Sequence, residues 1–525
     1  MTSRRSFLRK ITYLVAIGVL LLPLFWLGRP ATSSTSTGES SPGGILAQLR
    51  AEHRLSQADL GEIDPTSETI KLATLGLRGV AANVLWQKAN GYKMKKDWTN
   101  LSATLEQLTK LEPHFIAVWR FQAWNLSYNV SAEFDDFRER YRWVIKGIEF
   151  LEKGVRLNEQ SPRLLWDMGW FIAQKIGRAD EHRQFRLLFK ADDDFHGARP
   201  VERRDNWLVG KEWFARAERL VDQGASLGGM SPVIFYSDRA MSDMNYSEAL
   251  EEDGIFGERA RRSWDLAYRG WTEGPVPGDQ VPFGMRDITT SFGDVIRLND
   301  REKYEKTLEE MKARFEAITP GVRERIEQQR RARLTPAERE ALDAEERTEQ
   351  QHQLAAEAAI KLNVTYEDVA NEMSGAEKSR ALEMAKRLSE TERITDLIRR
   401  YREIVNFEHW RRRAEFEQSD EALEARELIH EGNRAFAQAK LEEARENYDR
   451  GLQKWREVLD KFDGLIRDTG LGRDLMDVII MYRRILDARD EPFPTDFVLQ
   501  DVIDRHGHSA EGWMPYTDDA EEDQE

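Results

Sequence analysis

The chain has 525 residues, 94 of them acidic and 78 basic, for a formal net charge of −16, and 40% are hydrophobic. That apolar content excludes wholesale disorder, and the complete lack of cysteine excludes disulfide scaffolds, thiolate metal sites and thiol nucleophiles. The acidic balance argues against a nucleic-acid partner, since such proteins neutralise phosphates with Lys and Arg.

Met1–Lys10 carries Arg4, Arg5, Arg9 and Lys10 and no acid. Ile11–Leu27 follows without a charge for seventeen residues. As a helix it spans about 26 Å, close to the roughly 30 Å of a bilayer's hydrocarbon core. Tyr13 and Trp26 stand near its ends, where amphipathic rings favour the membrane interface. Basic residues precede the apolar run, and only Arg29 follows before Arg50. The sequence therefore predicts a transmembrane segment over 11–27, with the N-terminus in the cytoplasm and the rest outside. Ser3-Arg4-Arg5-Ser6-Phe7-Leu8-Arg9 resembles a twin-arginine export signal. Arg29 and Pro30 crowd the small-residue site Ala31-Thr32-Ser33, so an uncleaved signal-anchor is favoured over a cleaved signal. The expected location is the cytoplasmic membrane, single-pass, with the bulk of the chain periplasmic or exported. Beyond residue 30 the chain carries 73 basic and 94 acidic residues.

Residues 28–65 include a Ser/Thr/Gly/Pro tract and read as a flexible tether. From about residue 66 apolar positions recur at i, i+3, i+4 and i+7. Leu72, Leu75, Leu77, Val80 and Leu85 form one such face after Thr66-Ser67. The nearest approach to a strand is Pro232–Tyr236, and all-α is the predicted class. The domains expected are a helical one over 66–298, a charged helical region over 299–395, and a second helical one over 396–505. An acidic tail over 506–525 closes the chain. In 301–350, 25 of 50 residues are charged, which suggests a solvated helical excursion. Pro320-Gly321 reads there as a helix stop and Thr335-Pro336-x-Glu338 as a capped start.

Gly147-Ile-Glu-Phe-Leu151-Glu-Lys-Gly154-Val-Arg-Leu157-Asn-Glu has small residues at two close-packing positions with a large apolar one between. Leu165-Trp166-Asp-Met168-Gly169 follows, with Gly169 22 residues after Gly147. Near the C-terminus stand Gly432-Asn433-Arg-Ala435-Phe436, Leu441-Glu-Glu-Ala444, Tyr448 and Gly451-Leu452. These segments resemble tetratricopeptide (TPR) repeats. Leu75–Trp86 followed by Leu111-Glu-Pro-His-Phe115 resembles the opening of membrane-anchored bacterial proteins of that kind. The resemblance covers residues 70–180 and 425–460, under a third of the chain. Lys88 stands where the repeat usually has Trp or Leu. Phe115–Tyr128 would be a first helix whose partner is delayed by an insertion around Ser131–Arg140. Trp207–Gln223 and Gly257–Trp271 also have helical apolar faces.

The resemblance implies TPR-like hairpins stacked as an α-solenoid, each burying a face it cannot bury alone. It also implies a binding groove lined by the first helix of each hairpin, and so selects Arg120, Trp124, Arg163, Trp166 and Trp170. In the C-terminal hairpin it selects Arg426, Asn433 and Phe436. Arg and Trp are the types enriched at binding hot spots. The implied function is a non-enzymatic, membrane-anchored scaffold for proteins or peptides of the cell envelope. Neither cofactor nor metal is expected, and the membrane is engaged through residues 11–27.

Catalytic patterns are weak. GxxxxGK[ST] and HExxH do not occur. Asp192-Asp193-Asp194-Phe195-His196-Gly197 has the start of a calcium loop, but its twelfth position is Arg203 instead of a bidentate Glu. His506-x-His508 offers two imidazoles without a third ligand and reads as solvated loop. Fifteen tryptophans leave an alternative open: an exported α/α-barrel enzyme or binder that stacks envelope glycans on its indoles. The plain reading of Trp119, Trp124, Trp143, Trp166, Trp170, Trp207 and Trp213 is hairpin core.

Overall fold

A computed structural model describes residues 78–272, 287–290, 292–344, 346–510 and 513, with isolated positions between 19 and 48. The expected transmembrane segment over 11–27, the helix start at Thr66-Ser67 and the acidic tail beyond Trp513 lie outside the described residues, apart from a few isolated positions. So does most of the tether, of which Thr32–Ser33 (β1) and Ser40–Ser41 (β2) are described as an antiparallel pair. Among the described residues no helix is long and apolar enough to cross a membrane. The fold is helical, as the periodicity predicts. Strands among the described residues are confined to β1–β2 and to Ile288–Thr289 (β3) with Val295–Ile296 (β4). Pro232–Tyr236, the most strand-like stretch of the sequence, opens a long helix.

The chain forms two units, one ending at Ile255 and one starting at Phe256. The first begins with α1 (Arg78–Met94) and α2 (Trp98–Leu111), which meet over Leu101, Leu105 and Leu108, all fully buried. Asp97 starts α2 by accepting the Asn100 N–H at 3.2 Å. Next come α3 (Ile116–Trp124), α4 (Phe137–Leu157) and α5 (Pro162–Trp170). Ser161 caps α5, and Pro162 sits in its first turn, where its missing N–H costs nothing. The short helices α6 (His182–Ala191) and α7 (Asp193–His196) lead to α8 (Asn206–Asp222) and α9 (Pro232–Glu252).

Glycines set the helix crossings. A Cβ on Gly154 of α4 would lie 2.6 Å from the Trp119 ring of α3. On Gly169 of α5 it would lie 2.7 Å from the Phe214 ring and 2.9 Å from the carbonyl oxygen of Gly210, both on α8. The turn entering α3 is locked by polar groups: Trp119 Nε1 and Asn158 Nδ2 both donate to the Pro113 carbonyl, at 2.8 and 2.9 Å. Between α8 and α9, Arg239 donates to both oxygens of Glu218 at 3.0 and 2.9 Å, with both residues 3% exposed.

The second unit contains α10 (Glu258–Thr272), β3 and β4, then α11 (Arg301–Ile318), α12 (Val322–Ala332), α13 (Pro336–Asp343), α14 (Glu349–Leu362), α15 (Tyr366–Asn371) and α16 (Gly375–Ile404). The charged stretch is more than a solvated excursion. Leu308, Phe315, Val322, Ile326, Val364, Val369, Ala381, Ala385 and Leu388 form a core of its own. The helix stop at Pro320-Gly321 holds, with Gly321 in the left-handed region. Thr335 and Glu338 make the reciprocal cap expected at the start of α13.

The chain continues as α17 (Phe407–Glu417), α18 (Asp420–Ala437), α19 (Leu441–Lys461), α20 (Thr469–Asp487) and α21 (Gln500–His506). α18 and α19 pack closely, with the Tyr448 ring against Gly432 and Ala444 fully buried. His506 departs from the solvated-loop reading. It ends α21 buried, with Nε2 2.7 Å from the Ile466 carbonyl oxygen and its ring over Gly472, whose lack of a side chain leaves the space. Packed structure therefore runs past residue 505, with Ala510 and Trp513 against the C-terminal core.

Candidate functional site

In the first unit, α3 and α5 share a local pattern. Each ends in a tryptophan, Trp124 or Trp170, and each runs on into a widened π-turn, Asn125–Val130 or Phe171–Lys175. Such turns often mark functional sites, because they re-aim side chains within a continuous helix. In an α-helix, residues four apart are offset by about 6 Å along the axis. Across the first π-turn, the Trp124 and Tyr128 rings stack with centroids 3.9 Å apart and planes 12° apart.

The stack extends from α3 to α5. Trp170 lies 6.1 Å from Trp124 and 6.2 Å from Tyr128, with planes 22° and 29° apart. Trp166 continues it at 6.5 Å and 25°. Buried Phe171 meets Trp124, Tyr128 and Trp170 edge-on. The inner side rests on the core, since Trp166 and Trp170 pack against the cluster of Trp207, Phe214 and Ala249. The outer end is open: Trp124 is 44% exposed.

Charged groups border the rings. Asp167 is 5% exposed and receives two guanidiniums, Arg120 through a short hydrogen bond and Arg163 at 3.4 Å. Burial holds the Asp167 carboxyl above its ordinary value, although both arginines pull the other way. Burial likewise lowers Arg163, whose guanidinium lies 5.0 Å from the Trp166 ring centre. Two cations on one carboxylate leave one positive charge in excess. Lys175 places its ammonium 4.4 Å from the Tyr128 ring centre and is lowered by burial. Asp238, on α9, accepts from Trp166 Nε1 at 2.6 Å, and burial raises its carboxyl to about 6.

Five of the residues selected from sequence thus come together: Arg120 and Arg163 on one carboxylate, and Trp124, Trp166 and Trp170 in one stack. The C-terminal trio is not joined in this way. Arg426 grips Glu417, which is fully buried, and lies over Trp455 at 5.2 Å. Asn433 is exposed and accepts from Tyr448 Oη at 2.7 Å, while Phe436 packs on the C-terminal core. Sequence reasoning missed Tyr128, Asp167, Lys175 and Asp238. Tyr128 had a signal in its spacing of four from Trp124; Asp238 had none, being 72 residues from its partner.

Of the seven tryptophans assigned to hairpin cores, Trp119 and Trp207 are buried, whereas Trp143, Trp166, Trp170 and Trp213 are half-buried and Trp124 is exposed. The acidic loop at Asp192 is spent on structure: Asp192 accepts from Phe195 N and Tyr141 Oη, and Asp193 pairs with Arg204 at 2.6 Å. Among the described residues no cluster of three or more His, Asp or Glu could hold a metal ion. No protein-family model matches the chain, and no curated protein is similar enough in sequence to count as a match.

Proposed function

We propose that this protein is a non-enzymatic, membrane-anchored TPR-like scaffold that binds proteins or peptides on the outer side of the cytoplasmic membrane. The observation that carries this reading is the stack of Trp124, Tyr128, Trp170 and Trp166, open at Trp124 and bordered by Arg120, Asp167 and Arg163. Rigid aromatic rings with fixed polar groups at their edge give large contact area at low entropic cost. The glycine crossings at Gly154 and Gly169 support hairpins that stack on their neighbours. Anchoring rests on the apolar run over 11–27 and its charge asymmetry.

A second reading, a binder or α/α-barrel enzyme acting on envelope glycans, is favoured by one feature. The exposed Trp124 ring offers a surface on which a sugar could stack. Capture from envelope extract with Arg120→Ala, Trp124→Ala and Arg163→Ala proteins separates the readings. Loss of a co-purifying protein supports the scaffold. Unchanged capture of every protein together with loss of glycan retention moves the assignment to the second reading.

A further inference from the structure

In the second unit, Arg412, Asp463, Gly464, Arg467 and Asp468 line an open cavity of about 540 Å³. That is within the range of about 300–1,000 Å³ that holds small organic molecules. Arg412 is the middle one of three consecutive arginines on α17. Arg411 pairs with Glu408 at 2.9 Å and Glu415 at 3.2 Å, and Arg413 with Asp474 at 3.6 Å and Glu417 at 3.7 Å. Among the described residues the Arg412 side chain has neither ion pair nor hydrogen bond, and the same is true of the Arg467 side chain.

Backbone geometry holds the cavity open. Gly464 has φ 75°, in the left-handed region, and starts the single turn Leu465–Arg467 that carries Arg467. The Arg412 guanidinium lies 3.6 Å from the point where a Cβ on Gly464 would sit. The two acids differ in availability. Asp468 Oδ1 accepts from Gly470 N and Leu471 N at 2.9 Å each, while Oδ2 lies 2.9 Å from His409 Nδ1. That carboxylate is committed to capping α20 and to His409. Asp463 is exposed and has no partner among the described residues. The uncommitted groups facing the cavity are therefore two guanidiniums and one carboxylate.

We propose that this cavity binds a phosphate ester. Arg412 and Arg467 hold the phosphate, and Asp463 accepts from a hydroxyl or ammonium on the organic part. A carboxylate brings one charge and two acceptor oxygens, whereas a phosphate monoester carries about −1.5 to −2 and offers three acceptor oxygens. Two unpaired guanidiniums match the phosphate, and Asp463 disfavours a bare anion that brings no donor of its own.

The test is calorimetric titration of the full chain in detergent micelles with inorganic phosphate, glycerol 3-phosphate and phosphoethanolamine. Saturable binding is expected, with both esters tighter than inorganic phosphate. Arg412→Gln and Arg467→Gln should each weaken the esters about tenfold or more. Arg412→Lys, which keeps the charge and loses the fork, should fall between. Asp463→Asn should abolish the preference for the esters and leave inorganic phosphate equal or tighter. A short-chain phosphatidylethanolamine that competes better than phosphoethanolamine assigns the site to a lipid headgroup, and one that does not compete assigns it to a soluble ester. Absence of saturable binding overturns the proposal. So does wild-type affinity in an R412Q/R467Q protein of unchanged helicity.

Discussion

Trp166 Nε1 donates to the Asp238 carboxylate at 2.6 Å, tying α5 to α9 across 72 residues of chain. Among the described residues no ion pair reaches Asp238, so the indole is the group that holds it. Burial dominates, and the folded protein binds the Asp238 proton more tightly than the unfolded chain does.

The pH dependence follows in sign. Its folded value of about 6 lies above the ordinary 3.8. The stability linked to this proton is full below the unfolded value and is lost as pH rises through the folded one. Thermal melts of wild-type and Asp238→Asn proteins should therefore diverge between about pH 4 and pH 6, with the variant gaining relative stability as pH increases. Parallel curves across that window would remove Asp238 as the titrating group.

Gly154→Leu should destabilise the first unit by about 1–3 kcal/mol, because the new side chain must displace the Trp119 ring at the α3–α4 crossing. Chemical denaturation monitored by helicity reads this directly. Gly91, around which a Cβ would meet nothing within 4 Å, provides a control: Gly91→Ala should be neutral or slightly stabilising.

Arg239→Met leaves Glu218 buried without its ion-pair partner and should cost about 3–5 kcal/mol. Removing both ends, as Glu218→Met with Arg239→Met, should recover most of that loss, since the desolvated charge is gone too. A double variant as unstable as the single one would show that shape, and not the stranded charge, carries the cost.

Topology has a direct readout. A reporter fused to the C-terminus should be active only outside the cytoplasm, and the protein should stay with membranes after a carbonate wash. Release of a soluble form shorter by about 30 residues would support the cleaved signal instead. A reporter active inside the cell would refute both.

Much of the fold was legible because its causes are local. Leu101, Leu105 and Leu108 recur at helical spacing and meet in one core. Thr335 and Glu338 cap α13 as their spacing of three predicts. Gly154 stands where two helices cross. The charged region was misread because its core is built partly from Ala381, Ala385 and Ala370, too small to stand out against 25 charges in the neighbouring 50 residues. His506 was misread because its burial depends on Gly472, a residue 34 positions away on another helix.

By itself the sequence determined the helical class, the apolar run over 11–27 and the residue types that could recognise a partner. These depend on periodicity, charge order and composition, which act over a few turns of chain. Tertiary structure alone decided which of those residues meet. Arg120 and Arg163 converge on Asp167, and Trp124 is left exposed at the end of a stack that crosses from α3 to α5. A π-turn lies between Trp124 and Tyr128, and Asp238 arrives from 72 residues away. Side-chain pairing between helices is set by how their faces stack, and that is a property of the packed core that no short window of sequence contains.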